Sequence, residues 1–460
     1  MFKKVIEKIF LVNKKNQSEL SNKIRGLRNA GDFNQAGLLI KKIGFVPNQE
    51  LLSEVVSVCI KTKEYDFADR MIDNCLKSDP KRPDALRKKA DISHRAGRHK
   101  DSIVWAEKYY NVENNISNLA FYASFIKKNR SSDEAISVLG EIDEEKISNE
   151  DWVSEYLESI VKSSNIEKAR HAISKISLND LKRKNTAIMF LSASSLLGPI
   201  SRESFFKVVD KNKKLKDYSR QEMSLMISMD AQGIMSKDSK YLQLSDCLHG
   251  CRSIVQYWDN PETLTDDVRD SLDNWSRVKG FNHVLYNREQ ARAFINTHFP
   301  INFLKAFDLS LHPAQEADLF RLAYLYLNGG VYVDIDFLPK ETFSNLMLDS
   351  EKCVNFYYRS NLPPHQREIL NSFIAARRRS VFLWSALESA CETILSGKRR
   401  GIWRDSGPGL LGENFLTSKF SSEVGLITHD DMFKFSLSHK GKGMWDYKTV
   451  ENSWQRADKF

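Results

Sequence analysis

The sequence predicts a two-part protein, an all-α helical repeat followed by an α/β unit. Three observations carry this reading: small residues recur at a fixed period through the first 180 residues, short strand signals alternate with helical segments beyond Arg252, and a Gly-Gly pair joins a helical segment to an apolar strand ending in two aspartates. The 460 residues exceed one ordinary core, and roughly 150 residues per domain allows two or three units.

The repeat comes first. Units of a turn followed by a small residue end at Ala36, Ala68, Ser102, Ala135 and Ala169, which by subtraction lie 32, 34, 33 and 34 positions apart. That period marks a tetratricopeptide-like array of helical hairpins, a solenoid in which each pair stacks on its neighbours because it cannot cover its own apolar face. The small residue lets the two helices of a hairpin approach closely, and Asp79-Pro80 stops a helix between repeats. The likeness lies in spacing, since the tryptophan and tyrosine positions of the fuller consensus are largely missing. Residues 1–180 are assigned to this repeat domain, 181–250 to a helical connector or further repeats, and 251–460 to the α/β domain. The repeats are expected to present a surface to a protein partner or an acceptor.

Composition narrows the class. A hydrophobic share of 41% with 26 Phe, 15 Tyr and 8 Trp describes a folded chain. No stretch approaches the ~20 consecutive apolar residues of a membrane span. The lysines and short apolar run of Met1 to Asn16 are too brief for a signal peptide. A cytoplasmic location is expected, compatible with peripheral contact at the inner face of a membrane. Six scattered cysteines fit a reducing compartment, and Cys247-Leu248-His249-Gly250-Cys251 lacks the second ligand pair that a closed zinc site needs. A net charge of +9 suits an anionic partner. The basic clusters at Lys211 to Lys216, Arg377 to Arg379 and Lys398 to Arg400 lack aromatic interleaving, so they read as solvated surface and no nucleic-acid partner is expected.

Beyond Arg252, Ile254-Val255-Gln256-Tyr257-Trp258 and Phe281 to Tyr286 read as strands on either side of a helix, the texture of an α/β unit with a largely parallel sheet. The stretch Ala317 to Phe337 carries the chemistry. Asp318 to Leu327 is helical, Asn328-Gly329-Gly330 is its stop, and Val331-Tyr332-Val333 is a buried strand. Asp318 and Arg321, three apart, share a helix face. Asp334 and Asp336 follow the strand, and if the extended conformation persists, alternation places both carboxylates on one side. Ligands collect beyond the carboxyl ends of such strands, and two acids there favour a hard divalent cation, Mn2+ or Mg2+, shared with phosphate oxygens. A nucleotide sugar supplies those phosphates; Arg321 can hold a phosphate or a sugar hydroxyl, and Asp318 can accept from sugar hydroxyls.

A bare Asp-x-Asp arises on the order of once by chance in a chain of this size. The extended pattern says more. Ala317-Asp318, Arg321, Tyr324, Tyr326, Gly329-Gly330, Tyr332 and Asp334-x-Asp336 resemble the core motif of the DXD sugar-binding glycosyltransferases, glycosyltransferase family 32 with its bacterial capsule-synthesis and toxin-type relatives. The resemblance covers roughly Ile254 to Tyr447. It implies a GT-A-type, Rossmann-like fold and transfer with retention of anomeric configuration. It implies Asp318 and Arg321 as catalytic residues. The donor site it implies comprises Tyr257, Trp258, Asp318, Arg321, Tyr324, Gly329, Gly330, Tyr332, Asp334, Ser406, Gly407 and Trp445, with Trp258 stacking on the base. Asp334, Asp336 and His439 are the implied metal ligands. Trp275 and Tyr286 to Phe299 resemble the family's following helices. Met444 stands where relatives commonly carry serine before the late tryptophan, although Asn452-Ser453-Trp454 offers a later match.

Plainer readings exist for single residues: Trp258 as a core aromatic, Arg321 as a structural partner of Asp318, His439 as an ordinary loop residue. The expected function is a metal-dependent retaining glycosyltransferase moving a sugar, from a UDP-sugar, to a glycan acceptor in surface or capsular polysaccharide synthesis. The alternatives are a toxin-like transferase that modifies a protein, and an inactive helical-repeat adaptor.

Overall fold

The computed structural model describes residues 17–43, 46–163, 165–235, 240–248, 250–435 and 437–439, and the chain divides into two compact units, Met1–Leu197 and Gly198–Phe460. The residues expected to form a connector are thus shared between the units.

Unit 1 is helical. Five hairpins follow one another among its described residues: α1 (Gln17–Asn29) with α2 (Phe33–Ile40), α3 (Gln49–Thr62) with α4 (Tyr65–Ser78), α5 (Pro83–Arg95) with α6 (His99–Glu113), α7 (Ile116–Asn129) with α8 (Ser132–Leu139), and α9 (Glu150–Ser163) with α10 (Ile166–Lys175). A further helix, α11 (Lys184–Ser194), closes the unit. Ala36, Ala68, Ser102, Ala135 and Ala169 each occupy the fourth position of a hairpin's second helix, and every one is fully buried. The period in the sequence is therefore the recurrence of one packing position, where a larger side chain would hold the helices apart. Local signals set the ends: Asp32, Ser131 and Asn165 accept from the backbone amides of Gln35, Glu134 and Lys168, capping three of the second helices.

Unit 2 is a mixed α/β domain. Its main sheet has six strands in the order β3-β2-β4-β8-β7-β9, built from β2 (Ser253–Tyr257), β3 (Asn282–Tyr286), β4 (Gly330–Val333), β7 (Val354–Tyr358), β8 (Ile369–Ala376) and β9 (Val424–Ile427). Strands β3, β2 and β4 are parallel, β8 is antiparallel to both β4 and β7, and β9 is parallel to β7. Only β8 runs against the rest, which makes a predominantly parallel expectation a mixed sheet. Two small pairings flank it, β1 (Tyr241–Gln243) with β6 (Met347–Asp349) and β5 (Phe337–Pro339) with β10 (Leu437–His439).

Both faces of the sheet are covered, as the near-continuous apolar strands require. The helices of this unit used below are α12 (Arg220–Met235), α13 (Asp266–Ser276), α14 (Arg288–His298), α15 (Ile301–Asp308), α16 (Pro313–Asn328), α17 (Val381–Leu395) and α18 (Pro408–Thr417). On one face Val255, Tyr332, Phe356 and Ile374 pack with Phe307, Phe320, Leu325, Phe382 and Leu411 from these helices. On the other, Ile254, Val331, Val333, Phe373 and Ala375 pack with Trp275, Phe343 and Leu348. Neighbouring residues of one strand thus feed opposite cores, the period-two pattern of a strand.

The basic clusters read as free surface are in part structural. Arg378 donates to the carbonyls of Asn328 and Gly250, and Arg399 to that of Leu309. Asn328 ends α16 and Leu309 follows α15, so these guanidinium groups sit on carbonyls that a helix end leaves without intrahelical partners. Arg400 pairs with Glu413 at 2.8 Å, and Arg377 bonds the Ser350 carbonyl. All six cysteines are free thiols, and among the described residues no helix is long and apolar enough to cross a membrane. His249 and Met1 to Asn16 lie outside the described residues.

Candidate active site

The site follows from one reversal of the chain. Helix α16 ends at Asn328, turns through Gly329 and Gly330, and returns as β4, so the first half of the helix lies beside the far end of the strand. Arg321 stands about 12 Å of helix before the turn and Asp334 about 13 Å of extended chain after it. At matching height they meet: Arg321 lies 3.3 Å from Asp334 and 3.2 Å from Asp318.

The turn itself needs glycine. Gly329 and Gly330 have φ of +66° and +102°, and a Cβ on Gly330 would stand 2.6 Å from the Ser253 carbonyl oxygen. Both sit at the amino end of β4, the opposite end from Asp334. Chain reversal alone requires glycine at both positions, whatever their part in the expected donor site. Tyr324 is likewise core, its ring among those of Tyr286, Phe294 and Phe320.

Around Arg321 the groups form one buried network. Its guanidinium donates to the carbonyls of Ala317 at 3.1 Å and Asn371 at 2.5 Å, and lies 4.2 Å over the Tyr332 ring. Asp318 Oδ1 accepts from Asn371 Nδ2 at 2.7 Å, and Oδ2 from Ser406 Oγ at 2.8 Å. Asp334 and Asp318 place negative charge beside the Tyr332 phenol. Burial pushes the Asp318 carboxyl up to about 6, against the opposing pull of Arg321, Ser406 and Asn371. Burial also works against the Arg321 cation, but Tyr332, Asp334, Asp318 and Asp336 outweigh it and hold the guanidinium protonated. Burial raises the Tyr332 phenol well above its ordinary value, so it stays a neutral donor.

The two aspartates are not on an extended run. The strand stops at Val333, and Asp334 to Phe337 is a turn closed by the Phe337 amide on the Asp334 carbonyl at 3.2 Å. The alternation argument fails here, and packing replaces it. Ile335 is pinned in an apolar knot with Val268, Trp258 and Leu272. From α13, Ser271 donates to the carbonyls of Ile335 and Phe337 at 2.7 and 3.2 Å, and Trp275 to that of Phe337 at 2.9 Å. The carbonyls on either side of Asp336 are thus held by one helix, while the Asp334 amide bonds the Ser372 carbonyl at 2.8 Å.

Asn371 and Ser271 carried no signal in the sequence. Asn371 owes its place to an irregularity in β8: Phe356 faces Ile374 while the next residue, Tyr357, faces Leu370, so residues 371–373 bulge from the β7 ladder. Bulges re-aim side chains in this way near functional sites.

Other expected residues gather at the same edge. Trp258, partly buried just past β2, donates through Nε1 to Thr263 at 3.2 Å. Tyr257 turns to the opposite face and donates to Glu316 at 2.6 Å, which also pairs with Arg288 at 2.7 Å. Gly407 precedes α18 directly after Ser406. Strand β10 sets His439 opposite Phe337, so the backbone of that residue passes beside the turn; its side chain, Trp445 and Trp454 lie outside the described residues.

Residues 259–354 match the family of the glycosyltransferase sugar-binding region containing a DXD motif. That stretch of the chain is similar to a glycosyltransferase sugar-binding region. The match holds Asp318, Arg321, Asp334 and Asp336, and leaves Trp258, Asn371 and Ser406 outside. Over 96 residues the chain is 26% identical to an uncharacterized glycosyltransferase of Acanthamoeba polyphaga mimivirus, a stretch that is 20% of this chain and 38% of that relative. Among solved structures it is similar to the PaToxG glycosyltransferase at 14% identity and a TM-score of 0.31, covering 45% of this chain and 84% of the other. The sugar-binding region thus contributes helix, turn, strand and acidic turn, while β8 and the segment before α18 complete the network from outside it.

Asp318, Asp334 and Asp336 all bear on the Arg321 guanidinium, and the carboxylate oxygens of Asp334 and Asp336 are donors of the type a divalent hard cation takes. Among the described residues no group of three His, Cys, Asp or Glu could hold one by itself, so substrate oxygens and water would complete it, the habit of magnesium.

Proposed function

We propose that the chain is a metal-dependent retaining glycosyltransferase that takes a sugar from a UDP-sugar and passes it to a glycan acceptor in surface polysaccharide synthesis. The observation that carries this reading is the buried Asp318–Arg321–Asp334 network at the carboxyl edge of the parallel strands, where ligands of such sheets bind. More than one acid bears on that guanidinium, and Asp334 keeps 33% of its side chain exposed at the carboxyl end of β4.

Trp258, at the end of β2, packs into the knot that fixes Ile335, and the part of its ring left exposed can stack on the base. Asp334 and Asp336 would hold Mn2+ or Mg2+, which supplies charge neutralisation at the diphosphate when bound. Asp318 has four acceptor positions on its two oxygens; Asn371, Arg321 and Ser406 occupy three. One remains for a sugar hydroxyl. The fixed Arg321 cation lies where negative charge grows on the departing phosphate, a preorganised group that costs no reorganisation in the transition state. In transfer, the bond from the anomeric carbon to the phosphate oxygen breaks, the acceptor oxygen bonds that carbon on the same face, and the acceptor proton passes to the leaving phosphate.

The test is release of UDP from a set of UDP-sugars with and without manganese. Metal-dependent release supports the reading; no release from any donor, with no metal-dependent binding of UDP, removes it.

A further inference from the structure

Unit 1 holds a polar groove that the transfer chemistry leaves unused. It lies between α4 and α6 above α5 and has a volume of about 420 Å3. A second hollow of about 440 Å3 adjoins it, and the two share Asp73 and Trp105. Each is within the size range of small-ligand sites.

The groove is built in depth. Lys89, 6% exposed, lies 2.8 Å from Asp69 and 2.6 Å from Asp73, and Arg98 reaches Asp69 at 2.5 Å. An ion cluster tying neighbouring hairpins together accounts for these contacts. It does not account for Ser93, which lines the same groove at 1% exposure with a hydroxyl that has no hydrogen-bond partner. A buried hydroxyl with no partner keeps its desolvation cost until something bonds it.

The lining selects a chemical class. Asp73 and Asp101 offer acceptors, Arg98 and Ser93 offer donors, and the partly buried indole of Trp105 forms a wall, with Lys108 4.1 Å from its ring on the side of the second hollow. Three acids against two bases leave the first groove near neutrality, which disfavours a strongly anionic ligand. A peptide anchor needs apolar pockets, and only Val104 and Trp105 are apolar here. A neutral sugar ring presents an apolar C–H face for the indole, and adjacent hydroxyls that donate and accept at short spacing.

We propose that this groove is a non-catalytic glycan-binding site that seats a neutral sugar ring of the acceptor against Trp105. That the bound glycan is the acceptor rests on the transfer reading above; that a sugar binds here does not. A glycan held on the same chain reacts at a raised effective concentration, without any new contact at the transfer site.

The test uses the full chain labelled with 5-fluorotryptophan, with Trp105→Phe to identify the Trp105 signal. Maltoheptaose, chitotetraose and an unrelated heptapeptide are titrated while 19F spectra are recorded, and UDP release is measured in parallel. At least one oligosaccharide should shift the Trp105 signal saturably, Asp73→Ala and Ser93→Ala should each weaken that binding about tenfold, and Asp334→Asn should leave it unchanged. Asp73→Ala should release UDP as the parent does. The proposal falls if neither oligosaccharide shifts the signal, if the shift survives Asp73→Ala, or if the peptide produces it instead. Saturable sugar binding at Trp105 in a parent that releases no UDP supports the site and defeats the transfer reading alone.

Discussion

Asn371 engages both candidate site residues of α16 at once: its side-chain amide donates to Asp318 at 2.7 Å and its main-chain carbonyl accepts from Arg321 at 2.5 Å. A β8 bulge, outside the recognised sugar-binding region, therefore sets the geometry of that region's helix. Asn371→Ala leaves Asp318 short of a donor in a buried place, a loss of about 1–3 kcal/mol. Turnover should fall by about 10- to 100-fold with UDP affinity little changed, read as kcat against KM for donor hydrolysis.

The residues on either side of Asp336 are held through their carbonyls by Ser271 and Trp275, contacts that asparagine at this position leaves in place. Asp336→Asn should abolish metal-dependent turnover while the melting temperature stays within a few degrees of the parent. Retained activity with manganese would remove Asp336 as a ligand.

The Asp318 carboxyl gives a signed pH dependence. Its ordinary value is 3.8 and burial pushes it up to about 6, so between those values the folded chain holds a proton that the unfolded chain has released. Its stabilising contribution is complete below about 3.8 and is lost as pH rises through about 6, a difference of about 3 kcal/mol by linkage. Asp318→Asn, which cannot ionise, should gain stability relative to the parent between pH 4 and 7, seen as a widening gap in melting temperature. The same variant should be inactive.

Gly330→Ala should destabilise unit 2 by about 3 kcal/mol or more, since φ of +102° and a contact of 2.6 Å to the Ser253 carbonyl both oppose a Cβ. Urea unfolding measures this. If instead the variant folds normally and loses only UDP binding, the glycine belongs to the donor site after all.

Ala135→Leu forces a large side chain into a fully buried hairpin position, an overpacking cost of about 1–3 kcal/mol. The unfolding midpoint of unit 1 should fall while UDP release is unchanged at temperatures below it.

The sequence by itself settled what depends on local pattern. The spacing of Ala36, Ala68, Ser102, Ala135 and Ala169 fixed where hairpins pack, because helix contacts repeat with the chain. The glycines at 329 and 330 marked where the helix bearing Asp318 and Arg321 stops and the strand begins, and the three-residue spacing put those two on one helix face, because both follow from residues close in sequence. Tertiary structure decided the rest. That Asp334 to Phe337 would turn depended on Ser271 and Trp275, more than 60 positions away in sequence. Asn371 and Ser406 reached Asp318 only because β8 bulges and the chain returns before α18. A single sequence records which side chains it has and what their neighbours in line will do; which distant groups satisfy a buried charge is fixed only when the sheet closes around it.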